Sequence, residues 1–213
     1  MHLILIRHAL PQRTAPGEGI DPPLSPQGSR QSDVLADALR DEKLDAIWTS
    51  TMRRAVETAQ PMAERYGIVP KRHAGLCEMD WGFNAYVPVE ETDHPSVMAF
   101  NERLRHQADD RELLEFRAGV AVTMAEVCAA HPADATVAVV AHGGVISAYA
   151  STVLGTADTV FFVPGYTGIS RFDVAGDGTA RLVSLNETGH MKDARADPRP
   201  TALERGLHTG STE

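Results

Sequence analysis

The chain has 213 residues, with a hydrophobic fraction of 43%, a charged fraction of 23% and a formal net charge of −9. That length suits one substantial α/β domain with a sizeable core, and the acidic balance argues against nucleic acid as a partner while leaving room for a small anion in a local basic pocket. Two cysteines, Cys77 and Cys128, form neither a disulfide framework nor a CxxC metal motif, and no apolar run reaches the length of a signal peptide or a membrane span, so a cytoplasmic protein without a membrane partner is expected.

The first element is "HLILI", a short continuous apolar run that fits a strand buried on both faces. "GEGIDPPL" reads as a loop. A helix is predicted to follow, with Ser25 as its N-cap, Pro26 at its first position, and Val34, Leu35, Ala38 and Leu39 as its buried stripe. "DAIWTS" is a second strand. "TMRRAVETAQPMAERYG" is a second helix, capped by Ser50, stopped at Gly67, and kinked or ended early by Pro61. Residues 83–115 lack a clear period at first and read as an irregular insertion with some helix, placed to cover a site. The helix around "RELLEFRAGVAVTMAEVCAAH" buries Leu113, Phe116, Val120, Met124 and Val127. "ATVAVVAHGGVISAYASTVLG" gives a buried strand, a Gly-Gly turn and a helix, and a hairpin turns at Asp177-Gly178.

Strands alternating with helices predict a three-layer α/β/α sandwich. Its sheet is mostly parallel, with helices on both faces and an antiparallel edge from the hairpin. No linker or internal repeat divides the chain. Residues 1–191 are expected to form a single domain, with 192–213 a loosely ordered tail.

Two of these strands end alike. "LILI-Arg7-His8-Ala9" and "VAVVA-His142-Gly143-Gly144" each run a buried strand into a histidine and then into small residues. Ligands bind beyond the carboxyl ends of parallel strands, so both histidines belong on one sheet edge. A helix N-terminus at Gly143 adds backbone N–H groups there. "WTSTMRRA" brings Arg54 to the same edge, and "LCEMDWG" brings Glu78. Guanidinium forks match phosphate oxygens, a neutral histidine can attack phosphorus, and a carboxylic acid can protonate a leaving oxygen.

In this order, "LILIRHA", "TSTMRRAVETA", "LCEMDWG" and "VAVVAHGGVI" resemble the histidine phosphatase superfamily, also called phosphoglycerate mutase-like; the resemblance covers roughly residues 3–190. It implies that His8 accepts the phosphoryl group and that Glu78 is the proton donor. It also implies that Arg7, Arg54 and His142 hold the phosphoryl oxygens beside Gly143, with His142 counted in the catalytic set as well. Arg54 matches the pattern because it directly precedes Ala55; Arg53 points about 100° away around the helix. Ala9 stands where most members carry glycine, which is harmless only at negative φ. The acidic stretch "EMDWGFNAYVPVEETDH" lacks the basic residues that a phosphoglycerate carboxylate would need, favouring a phosphatase over a mutase. The alternatives are a mutase-type phosphotransferase or a non-catalytic phospho-ligand-binding module.

The expected ligand is a small phosphorylated metabolite, with no cofactor and no metal. His8, His142 and Glu78 match no zinc spacing, and two guanidiniums would repel a dication. A homodimer is compatible with this reading. Arg13, Arg53 and Arg103, and the histidines other than His8 and His142, are expected to be surface or structural groups, His190 being the one nearest to a family segment. Trp81 and Tyr86 are expected to serve packing. The arginine field is expected to keep Glu78 ionised until phosphate arrives.

Overall fold

The computed structural model describes residues 1–191 except Pro16, 80–84 and Val89. The sequence expectations for Asp80, Trp81 and the 192–213 tail therefore lie outside the described residues.

Six strands form one sheet: β1 (His2–Arg7), β2 (Ala46–Thr49), β3 (Lys71–Arg72), β4 (Thr136–Ala141), β5 (Ile169–Val174) and β6 (Ala180–Glu187). Their order is β3-β2-β4-β1-β5-β6. The pairs from β3 through β1 are parallel, while β5 and β6 add the expected antiparallel edge. The helices are α1 (Pro26–Ala38), α2 (Arg53–Tyr66), α3 (Pro95–Leu104), α4 (Arg111–Ala129) and α5 (Gly143–Leu154).

The apolar run of β1 is explained by its two faces. Leu3 and Leu5 join Val137 and Val139 of β4 in a core closed by Val120, Met124 and Val127 of α4 and Val145 and Tyr149 of α5. Ile4 and Ile6, pointing the other way, join Ile47 and Val140 against Leu35 of α1 and Ala59 and Met62 of α2. Alternation is invisible in such a strand because both faces are covered. Each large side chain buried here stabilises the fold by about 1.5–3 kcal/mol relative to exposure. The register sets Arg7 opposite Ala141, so β1 and β4 end together and their next residues, His8 and His142, emerge side by side.

Ser25 caps α1 as expected, accepting from the Gly28 N–H, and Gly67 ends α2 in the left-handed region at φ 64°. Three local expectations need correction. The buried stripe of α1 is Gly28, Gln31, Ser32, Leu35 and Ala36, with Leu39 just beyond, whereas Ala38 is exposed and Val34 only half-buried. The stripe begins with small and polar residues, so an apolar pattern alone misplaces it. Gly28 is required there, because a Cβ would lie 2.0 Å from the Leu10 carbonyl oxygen. Helix α2 is neither ended nor interrupted at Pro61. Pro61 sits on a partly exposed side, where water can take up the carbonyl left without a donor, while Ala59, Met62 and Ala63 hold the opposite face in the core. Finally, the N-cap of α2 is Met52, whose side chain makes no capping bond; the Ser50 hydroxyl accepts from the Met52 N–H and also meets His142.

Candidate active site

The ends of β1 and β4, the start of α2 and the segment around Glu78 converge on one cavity of about 80 Å³, with Arg7, His8, Arg54, Glu78, Gly143 and Gly144 among its lining residues. The rings of His8 and His142 stand 5.1 Å apart. Arg7, His8, Arg54 and His142 are all buried, with at most 3% of their surface exposed. Arg53 has 60% of its side chain exposed and pairs with Glu57, whereas Arg54 lines the cavity. Ala9 is buried and is absent from the residues with positive φ; the methyl in place of hydrogen is accommodated.

The hydrogen bonds of His8 fix its chemistry. Its Nδ1 lies 2.8 Å from the Ala9 carbonyl oxygen. A carbonyl only accepts, so Nδ1 carries the proton and donates. On the other side of the ring, Arg54 Nε donates to Nε2 over 3.3 Å. A guanidinium only donates, so Nε2 presents its lone pair. Both partners thus select the neutral tautomer whose Nε2 carries the lone pair, held by a long bond from Arg54 that an attack on an electrophile would displace. Burial, then the charge of Arg54, then His142 and Arg7 hold the His8 pKa well below 6.5. Burial and the same two arginines do so for His142.

His142 Nε2 meets the Ser50 hydroxyl at 2.7 Å, and that hydroxyl accepts from the Met52 N–H. His142 Nδ1 and Arg7 Nε are both buried and lack a hydrogen-bond partner among the described residues. Polar atoms stripped of water and left unpaired carry a cost of about 1–3 kcal/mol each, which an incoming oxyanion removes. Arg7 Nη1, by contrast, donates to the Pro164 carbonyl and to Glu90, each at 2.6 Å. The Arg54 Nη1 donates to the Ile20 carbonyl at 3.0 Å and lies 3.5 Å from Asp21. The loop read only as a connector therefore supplies an anchor to the site.

Glu78 is held through both oxygens, Oε1 accepting from the Met79 N–H and Oε2 from the Gly144 N–H, each at 3.1 Å. Here the direction of the shift differs from the one the arginine field alone would give. Burial pushes the Glu78 pKa above 4.5 and outweighs the N–H groups and the two arginines that act in the opposite direction. Of the two glycines after His142, Gly144 is the one that makes room for the acid: a Cβ there would lie 2.3 Å from Glu78 Oε1, whereas one at Gly143 meets only ordinary contacts. Gly144→Ala is thus expected to displace Glu78 while leaving the anion pocket intact. Turnover of an alkyl phosphate should fall by about 10²-fold or more, with vanadate affinity unchanged by titration.

The residues that sequence reasoning missed lie mainly behind the arginines. Arg7 stacks over the Tyr166 ring, 4.1 Å from its centroid, and the Tyr166 hydroxyl donates to Glu90 Oε2 at 3.0 Å. Arg54 faces the ring of Tyr86 at 5.0 Å, so Tyr86 belongs to the cavity wall rather than to the core. Thr58 accepts from the Ala9 N–H and donates to the Arg54 carbonyl, tying the turn after β1 to α2. His190 meets the Thr167 hydroxyl at 3.1 Å and is not among the cavity-lining residues. Arg103 pairs with Asp110 and Glu112, as a surface residue would. The rest of the wall is apolar, from Ile20, Met52, Met79, Val87, Phe100 and Val160 among others.

Residues 3–188 match the family described as histidine phosphatase superfamily (branch 1). The chain belongs to the histidine phosphatase superfamily. Over 120 residues it is 32% identical to phosphoserine phosphatase 1 of Hydrogenobacter thermophilus, a match covering 55% of this chain and 55% of the relative. The chain thus spans about half the length of that relative. A shorter match, 33% identical over 82 residues, is to 6-phosphofructo-2-kinase/fructose-2,6-bisphosphatase 4 of Rattus norvegicus; it covers 36% of this chain and 18% of that one. Among solved structures, a phosphoserine phosphatase mutant from Entamoeba histolytica in complex with phosphoserine superposes with a TM-score of 0.72 at 23% identity, covering 89% of this chain and 98% of the other. A mycobacterial glucosyl-3-phosphoglycerate phosphatase gives 0.72 at 22% identity, covering 87% and 98%. These likenesses establish the fold of this histidine phosphatase superfamily member, a mostly parallel sheet between helical layers.

The choice of Arg54 over Arg53 gives a direct test. Arg54→Ala is expected to weaken vanadate binding by about 2–5 kcal/mol, because a buried charge facing the anion is lost. Arg53→Ala should leave it within a factor of two or so of wild type, since an exposed i,i+4 ion pair contributes little. Isothermal titration of the three proteins checks this; equal losses would place both arginines on the anion.

Proposed function

We propose that the protein is a phosphatase that hydrolyses the phosphate monoester of a small metabolite through a phosphohistidine on His8. The observation that carries this reading is the tautomer of His8: Nδ1–H is spent on the Ala9 carbonyl, and Nε2 is left as a buried, neutral lone pair between guanidiniums. Family membership and the phosphatase names of the relatives support it.

The phosphoryl group enters with its oxygens toward Arg7 Nε, Arg54 and His142, beside the Gly143 turn. When Ser50 donates to His142 Nε2, the proton of that ring sits on Nδ1 and faces the anion as a donor. His8 Nε2 attacks phosphorus and the ester P–O bond breaks in line. The departing oxygen takes the proton of Glu78. The ring is now an imidazolium at Nδ1, and its bond to the Ala9 carbonyl strengthens. Glu78, left as a carboxylate, takes a proton from water; the resulting hydroxide attacks phosphorus, the P–N bond breaks, and its electron pair returns to Nε2. Orthophosphate leaves, and both groups are restored.

A phosphatase is favoured over a mutase by Glu90, a carboxylate paired with Arg7 that would disfavour the second carboxylate of a phosphoglycerate acceptor nearby. A cytoplasmic location, a single domain over 1–191, and a cover formed by residues 83–115 belong to this proposal. Tyr86, Val87 and Phe100 support the cover, since all three line the cavity. None of the described helices is long and apolar enough to cross a membrane.

The experiment is hydrolysis of a generic aryl phosphate after exhaustive chelation. Full retention of activity is expected, since the proposed chemistry runs entirely on side chains. Loss on chelation, restored by a divalent ion, would replace this mechanism with metal-assisted hydrolysis.

A further inference from the structure

The neighbourhood of Arg7 contains more than a phosphate clamp needs. Two cations, Arg7 and Arg54, face the cavity. Each also touches a carboxylate: Arg7 meets Glu90 at 2.6 Å, and Arg54 lies 3.5 Å from Asp21. The two carboxylates are not equivalent. Asp21 has 41% of its side chain exposed, where solvent screens it, whereas Glu90 has 19% exposed and its partner Arg7 only 4%. Glu90 is fixed at both ends, one oxygen on Arg7 Nη1 and the other receiving the Tyr166 hydroxyl. Tyr166 also lies flat under the guanidinium.

We infer that Glu90 is a positioning residue that turns the Arg7 fork toward the substrate and whose negative charge limits how tightly the site retains released phosphate. This rests on the phosphatase reading of the site. The positioning follows from how Arg7 divides its donors. Nη1 is consumed by Glu90 and the Pro164 carbonyl, and Nε is left without a partner. A guanidinium is rigid and planar, so fixing Nη1 on the protein side fixes Nε on the cavity side. The charge effect follows from proximity: a carboxylate in hydrogen-bond contact with a phosphate-binding arginine offsets part of its attraction for any anion bound to the other edge of the same group. The Glu90 carboxyl is ionised near neutral pH because Arg7, by charge and hydrogen bond, overcomes the upward pull of burial.

The two roles can be separated by substitution. Glu90→Gln keeps the reach and an accepting oxygen but removes the charge. Glu90→Asp keeps the charge but is one methylene too short to hold Nη1. Inorganic phosphate binding is measured by calorimetry on wild type and both variants, alongside kcat and KM for an aryl phosphate and the thermal midpoint of each free protein. Glu90→Gln is expected to bind phosphate about tenfold more tightly, with stronger product inhibition. Glu90→Asp is expected to bind it more weakly, with a raised KM. A residue serving only stability would weaken phosphate binding, or leave it alone, in both variants. Phosphate affinity in Glu90→Gln equal to or below that of wild type overturns the charge role, and a Glu90→Asp protein indistinguishable from wild type overturns the positioning role. Wild-type protein that neither binds phosphate nor hydrolyses any monoester would instead overturn the phosphatase reading itself.

Discussion

His8→Ala is expected to abolish hydrolysis of every phosphate monoester, with kcat falling by at least about 10⁴-fold. No neighbour can take over the role. His142 is the other imidazole, but its Nε2 is held by Ser50, and Glu78 is fixed on two backbone N–H groups. The variant should still bind orthophosphate, because Arg7 Nε and His142 Nδ1 keep their unsatisfied polar atoms. Retained binding separates loss of the nucleophile from collapse of the pocket. In wild type, rapid quenching should trap an acid-labile, base-stable phosphoenzyme, and in His8→Ala none. Substantial turnover by His8→Ala would mean that water attacks the ester directly.

The second large effect concerns Glu78 and depends on the leaving group. With a phenolic ester of low pKa, Glu78→Gln should lose little in the first transfer, since a phenolate departs without a proton. With an alkyl ester the loss should reach about 10²–10⁴-fold. The pH profile tests the same assignment. The Glu78 pKa is raised above 4.5 by burial, so the protonated donor is the dominant form below that raised value and is lost as pH climbs through it. The wild-type kcat/KM for an alkyl ester should fall along this basic limb, and Glu78→Gln should lack it. His8 sets the other limb: its pKa lies well below 6.5, so the nucleophile is protonated only in more acid solution. An equal loss for both esters would remove Glu78 as the acid.

Much of this site was legible because its residues sit in fixed relation to strand ends. A buried strand cannot end in Arg7-His8 or in His142 without placing those side chains at the carboxyl edge of the sheet. The spacing from "TSTMRRA" likewise selects one face of α2. What escaped notice depends on tertiary approach. Tyr166 and Glu90 are 76 residues apart and meet each other beside Arg7, and neither lies in a segment whose pattern sets it apart. A serine before a helix reads as a cap; the Ser50 hydroxyl accepts from the Met52 N–H but also meets His142, a contact that only the pairing of β2 with β4 brings about. The sign of the Glu78 shift is not legible because charges can be counted in a sequence while burial cannot, and burial decides the sign. Pro61 shows the same limit at the level of the backbone: local preference allows a kink or an early end, and α2 runs on through it with its opposite face in the core.

The central place of β1 has a consequence for when His8, the proposed nucleophile, can be released. The His8 amide donates to the Ala141 carbonyl, and the Arg7 amide donates to Gly168, so the last turn of chain before the nucleophile is stitched to strands on both sides. Both neighbours are interior to the sheet order, β4 on one flank and β5 on the other. Detaching His8 therefore means parting the middle of the sheet and exposing both cores at once. Local fluctuations that admit solvent elsewhere do not reach it, and amide exchange at His8 should follow the unfolding of the entire sheet. The placement of His8 is thus as durable as the sheet itself: any partly opened form that still holds its central strands together still holds this imidazole at the sheet's carboxyl edge.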